Sequence, residues 1–407
     1  MTKKIIILVD SLKIGSGSDR VAAILGTELN NEGYEVTFLT LMDGEPKYPF
    51  KGEYKTLNEK DIYGNNLKRF IGLLKHSPKV AHICRELEID TVISAGDPAN
   101  FHALISRLAY GNRSRIIISQ HMNPEIFLNS RFKYNLIKFF YPQAYKTVCV
   151  SKEIERILNE QYGVRNTRTI YNMMDIKENI ELAKEELPIQ WKKLFNEKHS
   201  KAQEENFNFI NLGRLDRQKG QWFLIRSFKK VVEKNPNARL FILGEGELKE
   251  KLKKLIAVLK LEKNVFLLGE QENIFPFLLN SHCFILSSLW EGLPMSLIEA
   301  LSLNLPVIST DCKTGPREIL CPELELKEEV NYPYFGNYAI LIPPFPNELL
   351  LNNITEQPII KTEAALSDLM TLIIEDETLR NKYSNGQKLA YNFDKEKILG
   401  QWKKLLN

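Results

Sequence analysis

The octapeptide Gly213-Arg214-Leu215-Asp216-Arg217-Gln218-Lys219-Gly220 stands between an apolar run and a helical pattern. Arg214 can make bidentate contacts with phosphate oxygens, and Lys219 adds a compact positive charge nearby. Gly213 and Gly220 let the backbone bend on either side. A solvated basic loop is the plain alternative, but a place at the top of a strand favours an anion. A second segment reads Trp290-Glu291-Gly292-Leu293-Pro294-Met295-Ser296-Leu297-Ile298-Glu299-Ala300. Pro294 suits the first turn of a helix, where its missing N–H is not needed. Glu291 then falls on the preceding loop and Glu299 inside the helix. The N–H groups of Gly292 and Leu293 lie beside the positive helix end, suited to an anion or a developing leaving group. Glu299 lies among apolar residues, where a carboxylate needs partners, and a ribose diol would bring two hydroxyl donors.

Three weaker signals accompany these. Gly15-Ser16-Gly17-Ser18-Asp19-Arg20 follows a strand pattern and opens a helix, where free N–H groups favour an anion. It lacks the third glycine of G-x-G-x-x-G and is not a P-loop, so a hydride-transferring enzyme is poorly supported. Gly244-Glu245-Gly246 ends another strand. Close approach of a ligand and a sharp left-handed turn both remain open there. His121 ends an apolar strand within Ser119-Gln120-His121-Met122-Asn123, a better place for function than His76, His82, His102, His199 or His282. No Asp-x-Asp occurs, and no histidine pair has a metal-ligand context. No bound divalent metal is expected. Arg214, Lys219 and a helix dipole would neutralise charge instead.

These loops need elements to hold them. Short apolar runs at 4–10, 35–40, 91–95, 115–119, 147–150 and 169–171 alternate with helical spacing at 19–31, 67–88, 101–109, 132–140 and 152–161. A second series of strands at 207–212, 239–243, 265–268, 282–286, 306–310 and 338–342 alternates with further helices. Alternation of this kind is the pattern of βαβ units and parallel sheets. The fold class is α/β, with two doubly wound, Rossmann-like domains and ligands outside the carboxyl ends of the strands. The expected division is residues 1–175, a charged linker at 176–205, a second domain at 206–390, and a final helix at 391–407 returning to the first domain.

The chain has 407 residues, enough for two or three domains. With 43% hydrophobic and 26% charged residues it has ordinary globular usage, which argues against long disorder. Five scattered cysteines and no C-x-x-C point to a reducing compartment rather than a disulfide framework. The apolar run after Lys4 is too short for a secretory h-region, and no stretch is long enough to span a membrane. Residues 1–180 carry 25 basic against 20 acidic side chains, so the small net charge of +4 is concentrated there. Within that half, Arg131–Tyr141 and Lys68–Lys75 mix basic and large apolar residues at near-helical spacing. Such a helix can lie on anionic lipid, or it can be a core helix with snorkelling lysines. Nucleic-acid binding is disfavoured by the modest charge and the lack of a motif.

Taken together, Gly213–Gly220, the Glu291/Glu299 pair with seven residues between, and the glycine loop before Arg20 resemble the family-4 retaining glycosyltransferases of GT-B fold. The resemblance runs in order over nearly the whole chain. Residues 309–320, with Gly315-Pro316-Arg317-Glu318-Ile319, resemble bacterial and archaeal members that build cell-surface or lipid-linked glycans. The resemblance implies two domains facing across a cleft, the first binding acceptor and the second a nucleotide sugar. Arg214 and Lys219 would grip the donor diphosphate, Glu299 the ribose, and Glu291 the donor sugar hydroxyls. Gly213, Gly244 and the backbone of Gly292, Leu293 and Pro294 would lie against the donor, and Glu270 to Asn273 by the base. His121 matches the family's histidine near the reacting sugar. Where the family has paired glycines in the first loop, this chain has Ser16-Gly17.

The implied reaction is transfer of a hexosyl group from a nucleotide sugar, UDP-linked, with retention, to a glycan or lipid-linked acceptor. It would use no cofactor and would take place in the cytoplasm with weak contact to an anionic membrane surface. Two rivals stay open: a sugar-nucleotide 2-epimerase of GT-B-type fold, and a non-catalytic sugar-nucleotide-binding subunit.

Overall fold

The structure, a computed structural model, describes residues 3–13, 17–59, 66–127, 130–196, 206–347 and 357–407. The chain forms two compact units, Met1–Met173 with Lys395–Asn407, and Met174–Asp394.

In the first unit the strands are β1 (Lys4–Val9), β2 (Glu35–Thr40), β3 (Glu53–Thr56), β4 (Thr91–Ala95), β5 (Arg115–Gln120), β6 (Lys146–Cys149) and β7 (Thr167–Thr169). The helices are α1 (Gly17–Asn31), α2 (Asn66–Glu86), α3 (Asp97–Tyr110), α4 (Arg131–Phe140) and α5 (Lys152–Tyr162). The sheet order is β3-β2-β1-β4-β5-β6-β7 and every pairing is parallel. Ile5 to Val9 are all buried, as a central strand covered by helices on both faces requires. Helix α1 turns Val21, Ala22, Leu25 and Leu29 into this core. Gly26 is small there for a reason: a Cβ would lie 2.2 Å from Cζ of Phe38. The strand order reverses between β1 and β4, and Asp10 at the end of β1 reaches across that point. Its Oδ1 accepts from the Ala99 N–H in the first turn of α3 at 3.0 Å.

The terminal helix Lys395–Leu406 buries Ile398, Trp402, Leu405 and Leu406 in the same core. Two cations hold its end. Lys3 Nζ donates to the Leu406 carbonyl at 2.9 Å and Arg115 Nη2 donates to it at 2.6 Å. Cations at a helix C-terminus satisfy carbonyls that have no partner within the helix.

The second unit contains α6 (Ile176–Leu182), α7 (Ile189–Asn196), β8 (Phe207–Leu212), α8 (Gln221–Lys234), β9 (Ala238–Leu243), α9 (Lys249–Val258), β10 (Val265–Gly269), α10 (Phe275–Leu279), β11 (Cys283–Leu286), α11 (Met295–Ser302), β12 (Val307–Thr310), α12 (Pro316–Leu320), β13 (Tyr334–Phe335), β14 (Ile340–Ile342), α13 (Lys361–Glu375), α14 (Glu377–Tyr383) and α15 (Gln387–Ala390). The sheet order is β10-β9-β8-β11-β12-β14-β13, parallel except for the β13 edge. Order reverses between β8 and β11. The loops that leave these two strands carry Arg214, Lys219 and Glu291, which puts them at the switch point where doubly wound sheets bind ligands.

The division differs from the expected one. Residues 176–196 are not a linker: α6 and α7 belong to the second unit. Phe195 stacks on Phe241 at 4.0 Å, and Asp175 caps α6 by accepting from the Glu178 N–H at 2.9 Å. Residues 197–205 lie outside the described residues. The return to the first unit begins at Lys395 rather than 391.

Candidate functional site

The loop after β8 is built on the loop after β9. Leu215 N–H donates to the Glu245 carbonyl at 2.9 Å, and Leu248 N–H donates to the Leu215 carbonyl at 2.9 Å. A Cβ at Gly244 would lie 2.1 Å from the Gly213 carbonyl oxygen, and one at Gly246 would lie 2.4 Å from that of Leu215. Protein backbone therefore fills the space these glycines leave. Gly244 has a structural reason to be glycine that needs no ligand.

The same loop is stitched to the segment after β11. Asp216 Oδ1 accepts from the Lys219 N–H at 3.3 Å and caps a single tight turn over Arg217–Lys219. Leu289 N–H donates to the Gln218 carbonyl at 2.8 Å, and Ser287 Oγ donates to that of Lys219 at 2.8 Å. Gly220 follows at φ +61°, where a Cβ would lie 2.4 Å from the Ser287 carbonyl oxygen. The left-handed turn brings the two loops into contact and starts α8 directly afterwards.

Glu291 is the centre of the site. Its side chain is 5% exposed, and that of Lys219 is 15% exposed. Lys219 Nζ donates to Glu291 Oε1 at 2.6 Å, and Ser288 Oγ donates to the same oxygen at 2.6 Å. Gln218 Nε2 donates to Oε2 at 3.2 Å. Thr314 Oγ1 donates to the Glu291 backbone carbonyl. Thr314 has φ +65° and Gly315 φ +93°, and a Cβ on Gly315 would lie 2.4 Å from Cδ of Pro294. A β-branched residue in the left-handed region is a strained choice, held here by its contacts with the 291–294 loop. Burial, and then the Glu291 charge, push the neighbouring Cys312 thiol well above its ordinary range.

Gly213 lies under Lys219. A Cβ there would come within 3.0 to 3.1 Å of the lysine's Cδ, Cε and Cγ. Arg214 is far more open, with its side chain 65% exposed. Its Nη2 lies 3.2 Å from Asp216 Oδ2 and donates to Gln218 Oε1 at 3.4 Å.

Pro294 occupies the N-cap of α11 in extended conformation, one residue before the helix and not within its first turn. Gly292 and Leu293 precede it. Glu299 is buried inside α11 between Ile298 and Ala300, also buried. Glu270 is exposed beyond β10. Asn273 is engaged by protein. Its Nδ2 donates to the Leu182 carbonyl and to Glu185 Oε2, both at 2.8 Å, while Oδ1 accepts from Phe275 N–H at 3.0 Å. Both amide hydrogens go to the end of α6 and the segment just after it.

His121 belongs to the first unit, just after β5. Ser119 Oγ lies 3.0 Å from its Nε2. Burial pushes its imidazole down to about 4, so it is neutral near pH 7. It lines a small cavity with Ala95, Ser119, Val150, Asn172 and Trp402. Gly17 opens α1, exposed, with nothing within 4 Å of the place a Cβ would take. Ser16 lies outside the described residues. Gln218, Ser288 and Thr314 were not singled out from sequence. Only the adjacency of Gln218 to Lys219 and the three-residue step from Ser288 to Glu291 offered a signal.

Both halves of the chain match known families. The family "Glycosyltransferase Family 4" matches residues 15–178, and "Glycosyl transferases group 1" matches residues 192–326. A glycosyltransferase of Methanocaldococcus jannaschii, itself uncharacterized, is 46% identical over 345 residues, covering 82% of this chain and 83% of its own. A Campylobacter jejuni enzyme is 28% identical over 407 residues, covering 97% of each chain. It is the N-acetylgalactosamine-N,N'-diacetylbacillosaminyl-diphospho-undecaprenol 4-alpha-N-acetylgalactosaminyltransferase. Among solved structures, Anabaena HepE in complex with UDP and glucose superposes with a TM-score of 0.73 at 19% identity, covering 99% of both chains. The chain thus belongs to the family-4 glycosyltransferases and has their GT-B fold of two Rossmann-like units.

Proposed function

We propose that this glycosyltransferase moves a hexosyl group from a UDP-linked sugar to a glycan or lipid-linked acceptor, with retention at the anomeric carbon. The observation that carries the reading is the Lys219–Glu291 contact at the switch point, with Arg214 beside it. In the reaction the acceptor oxygen bonds to the anomeric carbon while the bond from that carbon to the β-phosphate oxygen breaks. The electron pair leaves with the phosphate. In a front-face path the acceptor proton passes to a departing phosphate oxygen. Lys219 and Arg214 stabilise the charge that develops there, a contribution of roughly 3–4 kcal/mol for a well-placed donor. Glu291 accepts from sugar hydroxyls and Glu299 from the ribose. Neutral His121 offers the acceptor side a hydrogen-bonding group without charge. These cations serve the leaving group, and no divalent metal is required.

Acceptors of the Campylobacter relative carry diphospho-undecaprenol, which supports a lipid-linked acceptor here. Five free, buried cysteines fit a cytoplasmic site. Helix α4 supports contact with an anionic bilayer. Among its described residues only Ile137 is buried, while Phe132 is 53% and Phe139 is 64% exposed beside Arg131 and Lys138. Phe70, Ile71 and Leu74 of α2 are exposed as well. No described helix is long and apolar enough to cross a membrane; the contact proposed is that of a helix lying on the surface.

Incubation with a UDP-sugar and a polyprenyl-diphosphate glycan, followed by proton NMR of the product, tests retention. An α-linked product from an α-linked donor supports it, and a β-linked product sinks it. Replacing Arg131, Lys133 and Lys138 with Gln lowers sedimentation with anionic vesicles and leaves UDP binding unchanged. Equal binding of the unsubstituted protein to neutral and anionic vesicles would remove the electrostatic part.

A further inference from the structure

Gln218 stands between the two charges that the donor reading assigns to different parts of the substrate. Its Nε2 donates to Glu291 Oε2 at 3.2 Å, and its Oε1 accepts from Arg214 Nη2 at 3.4 Å. Only one orientation of the amide satisfies both neighbours, because a carboxylate only accepts and a guanidinium only donates. The residue is also pinned from behind, its carbonyl accepting from the Leu289 N–H at 2.8 Å on the strand-to-helix segment that carries Glu291.

The two oxygens of Glu291 are held differently. Lys219 and Ser288 both donate to Oε1, each at 2.6 Å. Among the described residues Gln218 is the side chain that donates to Oε2. With Oε1 alone held, the carboxylate can still turn about that oxygen, and the direction of Oε2 is left open. A carboxylate oxygen has two acceptor sites. Gln218 fills one on Oε2 and thereby aims the other.

We infer that Gln218 is a positioning residue: it fixes Glu291 Oε2 toward the donor sugar. The inference rests on the donor-site reading above. Residues that act as a unit in this way lose activity non-additively.

The experiment is a double-mutant cycle on the full chain with Gln218→Ala, Glu291→Gln and both together. It measures kcat/KM for a UDP-sugar and, separately, affinity for free UDP. Gln218→Ala is expected to lower kcat/KM about tenfold, as one lost hydrogen bond to a charged group does. The double variant should fall no more than about twofold below Glu291→Gln, because Gln218 acts through Glu291. Affinity for UDP, which lacks the hexosyl group that Glu291 would hold, should change less than about threefold.

Multiplying losses in an active enzyme overturn the inference alone. A fall in UDP affinity matching the fall in kcat/KM does so too, since Gln218 would then act on the phosphate loop. If the unsubstituted protein neither binds UDP nor consumes any UDP-sugar, the donor-site reading fails and takes this inference with it. Gln218→Glu supplies a second route should the alanine variant fold poorly. It sets two carboxylates against each other, so its activity relative to the unsubstituted protein should rise as pH falls from 8 to 6. A pH-independent ratio would count against the inference.

Discussion

Lys219 Nζ lies 2.6 Å from Oε1 of Glu291, joining a loop that leaves β8 to a loop that leaves β11. Both side chains are nearly enclosed, so the pair has lost much of its hydration and each charge depends on the other. Removing the lysine therefore acts on stability and chemistry together.

Lys219→Ala should lower kcat at least about 100-fold, through loss of a charge at the leaving group. It should also lower unfolding free energy by about 1–3 kcal/mol, because a buried acceptor loses a partner. Arg214→Ala should show a similar loss of kcat but a stability change within about 0.5 kcal/mol, since its side chain is largely exposed. Steady-state kinetics and urea unfolding of both variants separate the two effects. Activity within about threefold of the unsubstituted enzyme in either would refute the clamp.

The stacked loops make a second prediction. Gly244→Ala forces a Cβ toward the Gly213 carbonyl at a φ of +136°, and should cost about 1–3 kcal/mol. Gly400→Ala, in the terminal helix with open space at the Cβ, should instead gain roughly 0.5–1 kcal/mol. Thermal melts of the two variants should move in opposite directions.

The expectations read from sequence divide along physical lines. Helix α8 starts directly after Gly220, where the sequence shows a helical pattern, because the glycine stops one element and a strong apolar period starts the next. The loops with Arg214, Lys219 and Glu291 fall after β8 and β11 as their flanking apolar runs indicate. Residues 176–196, a charged linker with some helix by sequence, hold α6 and α7, which bury only isolated side chains such as Ile176 and Phe195 amid Glu and Lys and so show no apolar period. The short polar strand β3 was missed for want of an apolar run. Gln218, Ser288 and Thr314 meet Glu291 through space, and an uncharged donor leaves no mark in a sequence. Asn273 likewise bonds to the ends of α6 and α10, contacts that neighbouring residues in the chain do not announce.

Acid should weaken the first unit through His121. Burial holds its imidazole at about 4, against about 6.5 for the unfolded chain. Between these values the unfolded state binds more protons at this residue, so stability falls as pH drops from about 6.5 toward 4. Unfolding of His121→Gln across the same range should show a shallower decline. Parallel pH profiles for the two proteins would show that His121 is not the group responsible.

Activity should persist in excess EDTA, because the cations placed at the leaving group belong to the chain. Complete loss on chelation, restored by magnesium or manganese, would show that the side-chain cations are not sufficient.

The central claim is that Lys219, Arg214 and Glu291 form the donor site of a UDP-sugar-dependent transferase. Release of UDP from a panel of UDP-sugars, measured with a polyprenyl-diphosphate glycan fraction as acceptor, tests it most directly. The account predicts UDP release that requires the acceptor, is accompanied by a glycosylated lipid, and falls at least about 100-fold in Lys219→Ala. Interconversion of the sugar without an acceptor, or UDP release that Lys219→Ala leaves intact, would contradict it.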